Sequence, residues 1–417
     1  MGLFLYLASM SLRQRIHTKI CILGGGPAGS TASLYLSKYK IPHLLIDRNN
    51  FPRDKVCGEN FDGRVYWILK DLMPEEFKVL DENERLLKTW KYRIWSKNLN
   101  FSFEFPKEKT PRLALKRQSL DQTLFQKASS SKYAQIITGK TYTLNHTQEG
   151  HHLKFEDLDI QADFLIRATG ARKEESKPHL NYLFSRTYYQ GVKSKGEDGF
   201  EFFHFKKPFR GLVSLCPLPN DLTNVEITIR HADYQCYSEP LDTLLENLIE
   251  AQPELKARFK GAVQVSKPKG ISMHMASPVR FTGDREVRIG SSAFTSNPAV
   301  GLGVGNAMSG GRLIARVIND LMGQPNGLAK VPSAYEGQAK TYFRPMLRFN
   351  MVANMIHQNF NFFEPLLWVF YKLRVLNFFL KQDLKLFSVR QSLAGFWTKP
   401  PVEKIKKAEA KTPAFQS

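Results

Sequence analysis

Gly24, Gly26 and Gly29 keep the spacing G-x-G-x-x-G, and Asp47 follows eighteen residues after the last of them. Residues of these types at these distances bind a dinucleotide. Gly24 permits a tight turn, Gly26 lets the backbone approach a pyrophosphate, and Gly29 lets a helix lie close on a sheet. The carboxylate of Asp47 is placed to accept hydrogen bonds from a ribose hydroxyl. Pro27 and Ala28 within the turn, and Arg48 beside the acid, count as part of the same site.

The elements that must position these residues surround them. The apolar run Ile20, Cys21, Ile22, Leu23 predicts a strand that ends in the glycine turn. A helical pattern follows through Ala32, Leu34, Tyr35 and Leu36 and runs out near Lys40. His43, Leu44, Leu45 and Ile46 then predict a second strand that ends on Asp47. The N-terminus of the intervening helix offers free N–H groups and a partial positive charge to phosphates.

The 417 residues have room for one large domain or two moderate ones. A net charge of +21 favours anionic partners: phosphates, nucleic acid or an acidic membrane face. No zinc-finger spacing, RNA-binding signature or arginine-rich run is present, so nucleic acid is not expected as a partner. Cys21, Cys57, Cys216 and Cys236 are far apart and form no C-x-x-C. Neither a metal site nor a disulfide framework is therefore expected, and the default is a reducing, cytoplasmic compartment. Residues 1–12 are apolar but carry no basic leader or cleavage signature and are too short to span a bilayer. Met10 is an alternative start.

A basic loop follows Asp47: Phe51-Pro52-Arg53-Asp54-Lys55-Val56-Cys57-Gly58-Glu59-Asn60. Downstream, Arg117-Gln118-Ser119-Leu120-Asp121 opens a helix. Further on, Gly290-Ser291-Ser292-Ala293 precedes Asn297-Pro298-Ala299-Val300-Gly301-Leu302-Gly303 and a helix from about Asn306. With the fingerprint, R-x-K-x-C-G-E at 53–59, R-x-x-x-D at 117–121 and N-P-x-x-G-x-G at 297–303 resemble the FAD-dependent geranylgeranyl reductase family. That family lies within the p-hydroxybenzoate-hydroxylase-like flavoproteins, which include aromatic monooxygenases and halogenases. The resemblance covers roughly residues 18–330.

The resemblance implies FAD, with NAD(P)H as electron donor. It implies that Arg53 and Lys55 neutralise pyrophosphate, that Cys57 and Gly58 lie near the flavin ring with Cys57 as the candidate catalytic residue, and that Arg117 reaches the phosphates or ribityl chain. Gly290, Gly301 and Gly303 would bring backbone N–H groups to the flavin, with Ser291 and Pro298 in the same cofactor-binding segments. Three positions depart from the family's patterns. Ser291 stands where an Asp usually meets the ribityl chain. Thr169-Gly170 replaces the Asp-Gly of many hydroxylases. Ser214-Leu215-Cys216-Pro217 lacks the aromatics of Y-x-W-x-F-P and W-x-W-x-I-P, which argues against halogenation and against an orthodox geranylgeranyl pocket.

The expected fold is α/β: a Rossmann-like FAD-binding domain of residues 18–85, 110–174 and 276–330, with an inserted antiparallel β-rich substrate domain of residues 86–109 and 175–275. Within it, residues 61–80 read as helical. Alternation at Trp90, Tyr92, Ile94 and at Phe101, Phe103, Phe105 reads as a hairpin, and 136–155 reads as a β-meander. Residues 331–398 form a C-terminal helical region, and 399–417 a disordered basic tail. From Pro365 to about Phe387 apolar residues recur at helical spacing among Lys372, Arg374, Lys381 and Lys385. Such a helix either packs on the body or lies on a membrane surface. The expected activity is FAD-dependent oxidation–reduction on a hydrophobic lipid, isoprenoid or polyketide-like substrate, reductive in the manner of geranylgeranyl reductases. The alternatives are hydroxylation and a catalytically silent flavin-binding protein.

Overall fold

The structure is a computed structural model that describes residues 14–83, 85–95, 100–104, 110–147, 150–171, 181–193, 199–205, 211–237, 239–274, 279–296, 301–359, 362–363, 365–366 and 369. The fold is mixed α/β, as expected. The first strand, Gln14–Leu23, is the axis of a parallel sheet. Leu158–Arg167 lies beside it on one edge and His43–Asp47 on the other, both parallel. Glu286–Arg288 extends the sheet beyond the former, and Ala134–Thr138 extends it beyond the latter. The pleat sends Ile20 and Ile22 to a core formed with the helices. It sends Cys21 and Leu23 to a second core roofed by Leu144, Leu153 and Phe155. Parallel strands covered on both faces read as continuous apolar runs, and Ile20 to Leu23 does.

Leu23 pairs with Ile46 and Arg167, so three strands finish together beside the glycine turn. Helix Pro27–Lys38 leaves that turn with proline in its first turn, where the missing N–H costs nothing. Helix Gly303–Leu321 lies against it. A Cβ on Gly311 would sit 2.5 Å from the Ala28 carbonyl oxygen, so the helices touch backbone to backbone.

A second sheet runs Val263–Gln264, Asn181–Gln190, Leu222–Arg230, Gly211–Leu218, Gly199–Phe205, Lys91–Trp95, Asn100–Glu104, with Lys269–His274 also paired to Asn181–Gln190. Its outer face packs Val225, Ile227, Ile229, Val213 and Leu215 on Leu244, Leu245 and Leu248 of helix Leu241–Ala251. Its inner face carries Arg186, Tyr188, Ser214, Cys216, Asn224 and Glu226. Between the sheets, Asn60–Phe61 and Leu87–Thr89 both pair with Arg112–Ala114.

The hairpin expected from the aromatic alternation is present as Lys91–Trp95 on Asn100–Glu104. Residues 61–80 are helical, in two helices. Met73 ends Gly63–Leu72 and begins Pro74–Glu82, because Pro74 has no N–H to continue the first and is well placed to start the second. The expected meander over 136–155 is corrected. Ala134–Thr138 joins the parallel sheet, and only Thr143–Thr147 and Gly150–Lys154 form a hairpin, set against Leu158–Arg167. The helix expected from about Asn306 starts three residues earlier, at Gly303.

Helix Gly327–Gln358 buries Val331, Tyr335, Ala339 and Phe343, spaced every four residues along one side. Phe343 meets Phe281 and Phe294 there. The reading of 365–387 as a helix lies outside the described residues except at Pro365, Leu366 and Val369, and the tail 399–417 lies outside them altogether.

Candidate functional site

The glycine turn is shaped by close backbone contacts. Gly24 has φ +106°, and a Cβ there would sit 2.4 Å from the Ala168 carbonyl oxygen. A Cβ on Gly29 would sit 1.8 Å from the Gly24 oxygen. Neither position tolerates a side chain. Gly26 caps the helix with no side chain on the free N–H groups, and no acid stands in the first turn. Asp47 is buried. It accepts a hydrogen bond from the Gly25 N–H (2.7 Å) through Oδ2 and one from the Asn49 N–H (2.9 Å) through Oδ1. Arg48 beside it is exposed.

Over this turn lies the basic loop. The Arg53 guanidinium sits 2.9 Å from where a Gly26 Cβ would be. It stacks on Phe51 and reaches Asp121 at 3.4 Å. Its Nε is buried without a hydrogen-bond partner. Burial, and then the Arg117 and Arg53 charges, push the Lys55 ammonium below its ordinary range. An orphaned guanidinium N–H and a lysine repelled by its neighbours mark a site short of negative charge. A pyrophosphate supplies that charge, so the residues fit the dinucleotide half of FAD.

Arg117 is tied to neighbouring residues of the protein. Its guanidinium makes two parallel hydrogen bonds to Asp121 (2.8 and 2.9 Å) and also meets the Cys57 side chain. It holds the loop to helix Arg117–Ser129. Burial pushes the Cys57 thiol above its ordinary range, only partly opposed by Arg117, so the thiol stays protonated at neutral pH and is a poor nucleophile.

The loop then crosses the inner face of the second sheet. Asp54 is clamped by Arg186 through two hydrogen bonds (2.8 and 3.0 Å) and by Lys269. These cations hold its carboxyl well below the ordinary carboxylate range. Glu59 has φ +58°, a strained conformation for a residue with a side chain. Its carboxylate receives the Arg117 N–H (2.7 Å), the Tyr188 hydroxyl (2.9 Å) and the Asn224 amide (2.9 Å). Asn224 also donates to the Cys57 carbonyl at 2.8 Å. Beside this group stands Glu226, 6% exposed, with Oε2 2.7 Å from where a Cβ on Gly58 would be. Burial and the Glu59 charge push its carboxyl up to about 7, against a hydrogen bond from Ser214.

The second motif comes in from the far end of the chain. Gly290 and Gly301 both have φ +61°. Gly301 lies against Arg112, whose Nη2 donates to the Gly301 oxygen at 3.1 Å. Ser291 is half-buried in the short turn Gly290–Ser292. Gly303 opens its helix with no side-chain cap and no acid in the first turn, a second free helix N-terminus at the same end of the parallel sheet. Arg64 braces this start through Asn306 (2.7 Å) and Asp62 (2.8 Å). Pro298 lies outside the described residues.

Glu59, Arg112, Tyr188, Asn224 and Glu226 were not singled out from the sequence. A signal existed for two of them. Asn224 and Glu226 alternate with Val225, Ile227 and Ile229, and polar residues on a strand buried on both faces point to a built site. Among the described residues, no cluster of His, Cys, Asp and Glu is arranged to hold a metal ion, and no helix is long and apolar enough to cross a membrane.

No family model matches the chain. A menaquinone reductase of Mycobacterium tuberculosis is 23% identical over 318 residues, 72% of this chain and 76% of that protein. A digeranylgeranylglycerophospholipid reductase of Thermoplasma volcanium is 23% identical over 361 residues, 80% of this chain and 86% of that protein. Among solved structures, a flavin-dependent brominase superposes with TM-score 0.70 at 19% identity, over 95% of this chain and 100% of that one. A geranylgeranyl bacteriochlorophyll reductase-like protein from Thermoplasma acidophilum superposes with TM-score 0.68 at 18% identity, over 82% and 88%. These likenesses bear out the resemblance drawn from the motifs.

Proposed function

We propose that this chain, which groups in fold and sequence with the reductase and halogenase flavoproteins, is an FAD-dependent oxidoreductase that reduces a hydrophobic isoprenoid-type substrate. The observation that carries the reading is the basic loop itself. It is short of negative charge where it covers Gly26, and it is clamped onto a buried substrate-side face at Asp54 and Glu59. FAD, when bound, supplies the hydride chemistry.

The chain's own residues bind, orient and exclude water. Gly24, Gly26, Gly29, Asp47, Arg53 and Lys55 would hold the dinucleotide half, with Pro27, Ala28 and Arg48 in the same turn. The turn Gly290–Ser292, Gly301, Gly303 and the helix behind them would face the flavin end. Phe200, Phe202, Leu212 and Leu218 form an apolar cluster with Cys216 and Ala114 that supports a hydrocarbon substrate rather than a charged one. Both named reductase relatives act, by their names, on molecules with isoprenoid chains. NAD(P)H is the proposed electron donor. The +21 charge and the exposed Phe349, Met351, Val352 and Met355 support peripheral contact with an anionic membrane, from which such a substrate would be drawn.

Halogenation is the second reading. The brominase fold match favours it over the hydroxylation that the sequence offered as the alternative. Ser214 and Cys216 stand where both the halogenase and the geranylgeranyl reductase patterns carry aromatics, so they favour neither reading over the other. Product analysis with a geranylgeranyl lipid, with and without bromide and oxygen, separates the two. Saturated lipid formed anaerobically supports reduction. A brominated product formed only with bromide and oxygen supports halogenation.

A further inference from the structure

Glu226 and Glu59 are two carboxyl groups in one buried site, and their surroundings are unequal. Burial pushes the Glu59 carboxyl above its ordinary range, but three hydrogen-bond donors oppose that shift by favouring its charged form. Glu226 has the Ser214 hydroxyl. Its cross-strand neighbours are Ser214 on one side and Arg186 on the other, but the Arg186 guanidinium turns away to Asp54. Cys57 from the loop and Cys216 from the neighbouring strand also face the pair, and burial keeps both thiols neutral. Tyr188 is a neutral donor to Glu59, and the Arg117 charge is paired with Asp121. The charge that bears most directly on Glu226 is therefore the Glu59 carboxylate.

Gly58 explains the geometry. Any side chain at 58 would strike the Glu226 carboxyl at 2.7 Å, so the glycine leaves the acid against the loop backbone at the segment expected beside the flavin ring. We propose that Glu226 is the proton donor of the substrate side, standing behind Gly58 with Glu59 as its charged partner. The proposal rests on the reductase reading above. Saturating a carbon–carbon double bond needs a hydride on one carbon and a proton on the other. The hydride comes from reduced FAD, which is oxidised. The proton comes from Glu226, the π bond becomes two C–H bonds, and the carboxylate regains its proton from water.

The test has two arms on full-length protein. In pH-difference infrared spectroscopy, a protonated carboxyl band should disappear near neutral pH in the wild type and be missing from Glu226→Gln. It should move to lower pH in Glu59→Gln, which removes the neighbouring charge. A band that survives Glu226→Gln, or a wild type with no carboxyl titrating near neutrality, overturns the proposal. In the second arm the protein is reduced with dithionite and mixed anaerobically with a geranylgeranyl glycerolipid. Glu226→Gln should slow single-turnover saturation on the order of 100-fold, with FAD content unchanged. Glu226→Asp should recover part of the rate. A working wild type matched by Glu226→Gln at every pH overturns the donor role and leaves the reductase reading intact. A wild type that leaves the lipid untouched overturns the reductase reading, and the donor role with it.

Discussion

The two sides of the basic loop are built on opposite electrostatic plans. Toward the glycine turn, the loop presents Arg53 and Lys55 with too little negative charge nearby, so the protein alone is incomplete there and an anionic cofactor completes it. Toward the second sheet, it presents Asp54 and Glu59 to groups that satisfy them, and it leaves the buried Glu226 holding its proton up to about neutral pH. One segment of ten residues thus separates a cation-rich binding half from an acid-rich chemical half. The lesson is that binding is done by backbone shape and fixed charge, whereas proton transfer needs a group whose charge is costly.

The strongest way to break the comparison is at Gly29. A methyl group there would sit 1.8 Å from the Gly24 oxygen, backbone against backbone, with no flexible neighbour to yield. Gly29→Ala should cost about 3 kcal/mol or more and lose both FAD and the folded turn, read by thermal unfolding. Gly26→Val sharpens the point. Its Cβ meets the end of the flexible Arg53 side chain at 2.9 Å, so the fold should survive while FAD is lost. Wild-type flavin content in that variant would contradict the cation-rich half as a pyrophosphate site.

On the acid-rich side, pH supplies the probe. The Glu226 carboxyl is raised from 4.5 to about 7 in the fold, so the folded state holds a proton that the unfolded state releases. Relative to low pH, stability is therefore lost as pH rises from about 4.5 through 7, by roughly 3 kcal/mol in all. Glu226→Gln removes that loss. The variant should gain on the wild type in denaturant titrations as pH rises, and the gain should level off above about pH 8. A pH-independent difference would contradict the assignment. The smallest effect belongs to the clamp. Asp54→Asn weakens the hold of Arg186 and Lys269 on the loop and should raise the FAD release rate a few-fold with a small loss of stability. Because cation pairing depresses the Asp54 carboxyl, the clamp is complete above about pH 4 and loosens as pH falls below it.

The binding half was legible in the chain because its parts are local. The strand, the glycine turn, the helix and Asp47 lie between Gln14 and Asp47, and each has a short-range signature. The order of motifs also pointed to the second glycine segment. The chemical half was not legible, because strands far apart in sequence assemble it. Tyr188, Asn224 and Glu226 meet Glu59 across sequence separations of 129 and more residues. Val225, Ile227 and Ile229 alternate as one face of a strand does, but the polar half between them looks like ordinary surface until the other sheet covers it. Arg117 was legible as part of a motif, but its ion pair was not. Its motif matched, but Asp121 four residues on, a helical neighbour, takes its guanidinium. The break at Met73–Pro74 was a local signal passed over.

The central claim is that FAD bound over Gly26 reduces an isoprenoid chain held on the inner face of the second sheet. The most direct test is one anaerobic turnover. Purified protein is reduced, mixed with a geranylgeranyl glycerolipid, and followed by flavin absorbance and by mass spectrometry of the extracted lipid. The account predicts that the flavin reoxidises without oxygen and that the lipid gains two hydrogens for each flavin oxidised. A flavin that stays reduced until oxygen is admitted, with the lipid unchanged, would contradict it.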